Sequence, residues 1–226
     1  IKNLIYESTI FEKMGFRYMG PMDGHDIGMM CEALETAKSL GAPVLLHVNT
    51  VKGKGYNYAE KDPSHFHGVS DFDIDTGEPH SSGDTFCNEF GKLMCKMAHE
   101  DRRITLITAA MSLGTGLTEF SEKYSERFFD VGIAEEHAVA LASGIAKAGG
   151  KPVFGVCSSF IQRAYDQLSQ DLCINNNPAT LLVFWSSLSA MNDITHLCFF
   201  DIPLIGNIPN MVYLAPTCKE EYFAML

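Results

Sequence analysis

Residues 128–167 constrain the fold of this chain more than any other stretch, because their pattern predicts a parallel βαβ unit. Residues 128–133 (FFDVGI) form a short apolar run with one Asp, long enough for a buried strand but too short for a helix. Residues 134–147 place Ala, Leu and Ile at helical spacing, and a Gly-Gly pair follows shortly. Residues 152–159 are again strand-like. A strand, a crossover helix and a second strand within about thirty residues are typical of a βαβ unit.

Side chains that could bind a ligand follow both predicted strands of this unit. Glu135 lies where the first strand leads into the helix, and Phe160 and Arg163 follow the second strand. Parallel sheets bind ligands at the carboxyl ends of their strands. The sequence therefore predicts a binding site that combines a carboxylate, an aromatic ring and a guanidinium.

The rest of the C-terminal part extends this unit into a larger sheet. A helix is predicted over residues 86–98, and strands are predicted over 103–108, 179–185 and 211–215. Strands alternating with helices favour an α/β fold with a doubly wound, mostly parallel sheet.

The N-terminal part has the pattern of a second α/β unit. Residues 16–21 are strand-like, residues 27–40 have helical periodicity, and residues 43–48 are again rich in strand formers. Asp26 directly precedes the helical pattern and is a plausible N-cap. We interpret residues 1–76 as the C-terminal part of an α/β domain.

A linker is predicted at residues 77–84, where turn formers cluster. Residues 71–78 have the composition of a calcium loop but lack its Gly at the sixth position, and the position expected for the twelfth-residue Glu is Ser82. His65 and His67 lack a nearby third ligand, so no metal site is predicted there. The second domain is then expected over residues 85–226.

Composition narrows the range of partners and compartments. The net charge of −11 disfavours nucleic acid or an anionic membrane surface as the main partner. No apolar run approaches the ~18–20 residues that cross a bilayer. Seven cysteines without a CxxC pair favour reduced thiols, and we expect a cytoplasmic protein.

Two motifs carry a resemblance to a known family. FDVGIAEEHAV at 129–139, followed by SSFIQRAYDQ at 158–167, resembles the pyrimidine-binding domain of 1-deoxy-D-xylulose-5-phosphate synthase. That family depends on thiamine diphosphate and belongs to the transketolase superfamily. The resemblance implies the thiamine diphosphate-binding fold for the second domain, preceded by the end of the diphosphate-binding domain. By the same resemblance Glu135 hydrogen-bonds the aminopyrimidine ring of thiamine, Phe160 packs on that ring, and Arg163 lines the site.

Further roles are implied by the resemblance alone. Tyr56 would contact the cofactor, and His67 and His196 would serve substrate binding and proton transfer. The complete enzyme condenses pyruvate with glyceraldehyde 3-phosphate and releases CO2, and the family forms homodimers. The resemblance implies that this chain is the middle third of such an enzyme and lacks the last strand of the pyrimidine domain. The ligands of the diphosphate and its Mg²⁺ would then lie outside it.

One loop departs from the family pattern. Trp185 stands where the family has an arginine that grips the substrate phosphate, and tryptophan offers one N–H donor where arginine offers five. The other departures in this loop are an asparagine for an aspartate and the loss of bending glycines, at Asn192, Ser187, Ala190 and Asp193.

Smaller departures are Cys157 in place of a tyrosine, and Ser112 and Leu113 in place of a polar pair. Together they leave three interpretations open. The chain could be part of an active synthase, a non-catalytic homologue that keeps the fold for binding or assembly, or a subunit of a split transketolase-type enzyme.

Overall fold

The computed structural model of the chain describes residues 9–69, 71–80, 86–185, 196 and 200–226. It divides into two units, Ile1–Ser82 and Gly83–Leu226. In the described ranges, no helix combines the length and the apolar character needed to cross a membrane.

The first unit is built on two parallel strands. Its elements are α1 (Ile10–Lys13), β1 (Arg17–Asp23), α2 (Ile27–Ser39), β2 (Val44–Asn49), α3 (Asn57–Lys61) and a 3₁₀ turn at His65–His67. Strands β1 and β2 pair in parallel, with Arg17 opposite Val44. The predicted cap of α2 is confirmed, because the Asp26 side chain accepts a hydrogen bond from the Met29 N–H.

Burial in this unit is slight. Among its described residues, the buried apolar side chains are those of Ala33 and Ala59. No position of β1 or β2 is fully buried. The described residues of this unit thus form strands and a crossover helix but bury few apolar side chains.

The second unit contains the predicted βαβ unit. Its first elements are α4 (Phe86–Glu100), β3 (Ile104–Thr108), α5 (Thr118–Lys123), a 3₁₀ turn (Ser125–Arg127), β4 (Phe128–Asp130), α6 (Glu135–Lys147) and β5 (Lys151–Cys157). A continuous helical run follows β5, and its helix type changes between α, 3₁₀ and π along its length. It comprises α7 (Ser158–Ile161), a 3₁₀ turn (Gln162–Ala164), α8 (Tyr165–Gln167) and a π-helix (Leu168–Ile174). Strand β6 (Thr180–Phe184) and helices α9 (Asp201–Gly206) and α10 (Lys219–Met225) complete the described part.

The four strands form one parallel sheet in the order β4-β3-β5-β6. Thr108, at the end of β3, lies opposite Asp130 and Gly155, so the carboxyl ends of the strands share one edge of the sheet. Successive strand residues point to opposite faces. Phe154 accordingly joins a buried cluster with α6 and the helical run, whereas Leu106 joins another with α4 and α5. The doubly wound parallel sheet predicted from the sequence is confirmed.

One predicted strand is wrong and one is shorter than predicted. Residues 211–215 form neither strand nor helix, and Val212 is 77% exposed. Their apolar composition favours an extended backbone, but a strand also needs hydrogen bonds from a neighbouring strand. Strand β4 ends at Asp130 rather than at 133, because Gly132 has a φ of +70° and turns the chain toward α6.

Candidate functional site

The candidate site lies where β4 and β5 end. Glu135 is the first residue of α6, and Phe160 and Arg163 belong to the helical run after β5. The parallel arrangement brings these segments to the same edge of the sheet, although Glu135 and Arg163 are 28 positions apart in the chain. The predicted proximity of the three side chains is therefore observed.

Glu135 is a buried carboxylate held by one guanidinium. Its exposure is 1%, and the Arg163 Nη1 group donates to both of its oxygens, at 3.1 Å to Oε1 and 3.0 Å to Oε2. The Arg163 side chain itself remains 45% exposed. Burial of an unpaired charge is very costly, and the contact with Arg163 supplies the opposite charge that a buried carboxylate needs. The N-terminal end of α6 also favours a negative charge at this position.

Phe160 connects the ion pair to an imidazole. The Arg163 Cζ atom lies 5.2 Å from the centroid of the Phe160 ring, a cation–π distance. The His196 ring meets Phe160 edge-on, with centroids 5.3 Å apart and an interplanar angle of 74°. Glu135, Arg163, Phe160 and His196 thus form one contiguous group, which we call the rim cluster.

The rim cluster combines groups with distinct chemical capacities. A carboxylate can accept hydrogen bonds or a proton, an imidazole can transfer protons near neutral pH, and an aromatic face can pack against a flat ring. In the described part of the chain, no three His, Cys, Asp or Glu side chains are close enough to hold a metal ion.

Comparison with known proteins assigns the chain to a family. The sequence model described as "Transketolase, pyrimidine binding domain" matches residues 85–226, and the model described as "1-deoxy-D-xylulose-5-phosphate synthase" matches residues 1–50. The chain belongs to the 1-deoxy-D-xylulose-5-phosphate synthase family. Its pyrimidine-binding domain contains the rim cluster.

Individual members of the family are similar in sequence to this chain along nearly its whole length. The 1-deoxy-D-xylulose-5-phosphate synthase of Clostridium tetani is 46% identical over 100% of this chain, which spans 37% of that relative. The synthases of Clostridium acetobutylicum and Halothermothrix orenii are 47% and 46% identical over 98% and 100% of the chain. The chain therefore spans little more than a third of the curated relatives it matches. A solved structure named "Split gene transketolase, inactive beta4 tetramer" aligns over 54% of this chain and 39% of its own, at 23% identity and a TM-score of 0.47.

Tyr56 and His67 lie in the first unit of this family member. The Tyr56 hydroxyl donates to the backbone carbonyl of Ile74 at 3.0 Å. Its ring contacts the rings of Phe66 and Phe72. Burial raises the pKa of the Tyr56 hydroxyl, and the nearby Tyr58 and acidic residues raise it further. In this structure Tyr56 therefore holds the turn around Ile74, and His67 ends a 3₁₀ turn.

The departures from the family pattern lie on the same edge of the sheet as the rim cluster. Trp185 directly follows β6 with a φ of +56° and is 48% exposed. A Cβ atom added to Gly114 would come within 3.2 Å of the Trp185 ring, so the indole packs beside the loop after β3. Leu113 is 54% exposed in that loop. Cys157 ends β5 and is buried, with its Sγ 3.2 Å from the Ser159 Oγ. The altered positions Ser187, Ala190, Asn192 and Asp193 lie outside the described residues.

Sequence reasoning missed Asp130 and Ala110 at this edge. The Asp130 Oδ1 accepts hydrogen bonds from the Ala110 N–H at 2.8 Å and the Gly132 N–H at 3.0 Å. The bond to Gly132 has a local signal, because Asp side chains often accept from the backbone two residues later. The bond to Ala110 has none, since Ala rarely adopts its observed φ of +56°.

Proposed function

We propose that this chain forms the pyrimidine side of the thiamine diphosphate site in a 1-deoxy-D-xylulose-5-phosphate synthase. The complete enzyme would condense pyruvate with glyceraldehyde 3-phosphate and release CO2, which makes it a transketolase-type transferase. The observation that carries the proposal is the buried carboxylate of Glu135, held by Arg163 beside the Phe160 ring.

The rim cluster fits the aminopyrimidine ring of thiamine. Such a ring needs an acid at its edge and an apolar surface on its face, and Glu135 and Phe160 are of these types. Arg163 pairs with the acid and orients it within the fold. When bound, thiamine diphosphate supplies the carbanion chemistry, and the protein supplies orientation and electrostatics.

The remaining roles follow from the family. His196, which contacts Phe160, would transfer protons and contact substrate, and His67 would face the same substrate from the first domain. Tyr56 would contact the cofactor in addition to holding its turn. The residues that hold Mg²⁺ and the diphosphate would lie outside this chain. We also propose a cytoplasmic homodimer, as in the family.

The proposal is tested by calorimetric titration with thiamine diphosphate and Mg²⁺. The titration is made on this chain alone and on the chain mixed with a complete first domain from the Clostridium tetani relative. We expect no binding by the chain alone, and binding with pyruvate turnover in the mixture. Absence of binding in a mixture whose two components form a complex would contradict the proposal.

Glu135 and Glu136 offer a matched pair of variants. Both acids occupy the first turn of α6, but Glu135 is buried and Glu136 is exposed. If the acid serves only the helix dipole, Glu135→Gln and Glu136→Gln should have similar small effects. In the mixture with a complete first domain, we expect Glu135→Gln to abolish nearly all deuterium exchange at the thiazolium C2 of the cofactor, and Glu136→Gln to leave it unchanged. Equal exchange rates in the two variants would refute the assigned role.

A second candidate function is a non-catalytic homologue that keeps the fold for binding or assembly. The observation that favours it is Trp185, an indole on the edge of the sheet where the family has a phosphate-binding arginine. A single N–H cannot reproduce the paired donors of a guanidinium. Cofactor binding without turnover of glyceraldehyde 3-phosphate would favour this candidate, and turnover would exclude it.

A further inference from the structure

Asp130 joins two loops at the edge of the sheet where the rim cluster lies. It is the last residue of β4 and lies opposite Thr108, the last residue of β3. One oxygen of its carboxylate accepts from the N–H of Ala110, in the loop after β3, and from the N–H of Gly132, in the turn before α6. A single side chain thus connects the segments that leave two neighbouring strands.

Both segments adopt left-handed backbone conformations where Asp130 holds them. Gly132 has a φ of +70°, which glycine adopts without strain. Ala110 has a φ of +56°, a conformation in which its Cβ atom crowds the backbone. Such strain persists where the surrounding structure imposes it, and it is concentrated at functional sites. The bond from the Ala110 N–H to Asp130 is one of the contacts that impose it.

The turn held by Asp130 leads directly into the helix that carries Glu135. The Ala134 N–H donates to the Gly132 carbonyl at 2.8 Å, and the Ala138 N–H donates to the Ala134 carbonyl at 3.0 Å. The N-cap residue Ala134 has no side chain that can cap α6. The start of the helix therefore depends on the preceding turn rather than on a capping side chain.

We propose that Asp130 is a positioning residue for Glu135. Its carboxylate fixes the turn from which α6 starts, and so sets where the Glu135 carboxylate meets Arg163. The functional part of this inference rests on the proposed role of Glu135 at the cofactor. The geometric part concerns only residues of this chain and can be tested without any ligand.

The test compares Asp130→Asn with Asp130→Ala in the full chain by NMR. The amide oxygen of asparagine can still accept from both N–H groups, whereas alanine removes the acceptor. We expect Asp130→Ala to increase amide exchange at Ala110 and Gly132 about tenfold. It should also shift the guanidinium resonances of Arg163, while Asp130→Asn restores wild-type values. Unchanged Arg163 resonances in Asp130→Ala, or an asparagine variant that behaves like alanine, would overturn the proposal.

A second variant keeps the test decisive if Asp130→Ala does not fold. Ala110→Gly removes the strain at position 110, because glycine adopts positive φ freely. The double variant Asp130→Ala/Ala110→Gly should therefore fold, and its Arg163 resonances should remain shifted because Gly132 is still not held. Wild-type Arg163 resonances in the double variant would overturn the proposal.

Cofactor affinity separates this inference from the proposed function. In the mixture with a complete first domain, Asp130→Ala should weaken thiamine diphosphate binding about tenfold, and Asp130→Asn should weaken it less than about threefold. Equal affinities for wild type and Asp130→Ala would overturn the functional part. If wild type itself does not bind, the proposed function fails, and the NMR comparison still decides whether Asp130 positions Glu135.

Discussion

The two units of this chain share the α/β pattern but differ in how much they bury. The second unit encloses its parallel sheet between two apolar clusters, with side chains such as Phe90 and Phe154 fully buried. The first unit has two parallel strands in which no position is fully buried. A strand–helix–strand pattern thus specifies local structure in both, but it produces a core only where helices cover both faces of the sheet.

The same contrast separates the candidate site residues. Glu135 is buried beside a well-packed cluster, which can hold a charged group in a defined position. Tyr56 is held by a small group of aromatic rings and by one hydrogen bond to the backbone. We therefore expect the second unit to preserve the geometry of its site residues better than the first.

The largest expected effect is the loss of stability when a core side chain of the second unit is truncated. Phe154→Ala should destabilise that unit by about 3–5 kcal/mol, because a fully buried aromatic side chain is replaced by a cavity. Leu46→Ala, in the partly buried strand β2, should cost about 1 kcal/mol or less. Urea unfolding followed by far-UV circular dichroism reports both units, and fluorescence of the single tryptophan, Trp185, reports the second. Equal losses in the two variants would contradict the contrast between the units.

The next effect concerns the buried acid. Arg163→Met should destabilise the second unit by about 1–3 kcal/mol, less than for a fully buried pair because the guanidinium is 45% exposed. The exposed Arg102→Met serves as the matched control and should change stability little. Adding Glu135→Gln to Arg163→Met should recover part of the loss, since no uncompensated buried charge remains. Additive losses in this double-mutant cycle would show that the two side chains are not coupled.

A smaller effect is expected in the first unit, where the Tyr56 hydroxyl makes a hydrogen bond to the backbone. Tyr56→Phe removes the hydrogen bond to the Ile74 carbonyl and should cost about 1 kcal/mol locally. Faster amide exchange over residues 71–80 would report this loss. Tyr18→Phe is the control, because the Tyr18 hydroxyl contacts His47 instead. Weaker cofactor binding without faster exchange would instead indicate that the hydroxyl serves the cofactor alone.

The smallest effect is a pH dependence in the second unit. Hydrogen bonds from Arg103 and then Lys151 hold the pKa of Asp101 well below its ordinary value. A carboxyl group whose pKa is lower in the folded state stabilises the fold above its unfolded pKa, about 3.9, and this contribution is lost as the pH falls further. Asp101→Asn should therefore lower the melting temperature at neutral pH and flatten its decline in acid. A decline as steep as that of wild type would show that other carboxyl groups cause it.

Several features of the fold and of the candidate site could be predicted from local sequence. The period of apolar residues and the Gly-Gly stop predicted the βαβ unit, and Asp26 predicted the cap of α2. The parallel arrangement then predicted that Glu135 and Arg163 would share one edge of the sheet. The strands, the helix and the cap depend on residues that are close in the chain, and the parallel βαβ connection then brings the two strand ends to one edge, so a single sequence contains the information for them.

Other features were decided only by the tertiary structure. The double contact of Arg163 with the buried Glu135 oxygens, the link from Asp130 to Ala110, and the use of the Tyr56 hydroxyl by Ile74 each join distant positions. Residues 211–215 have the composition of a strand but make no ladder in the described structure. The physical reason is common to all of them. A polar group that is buried or lies in a turn bonds to whichever partner is close in space, and local periodicity does not specify which residue that is.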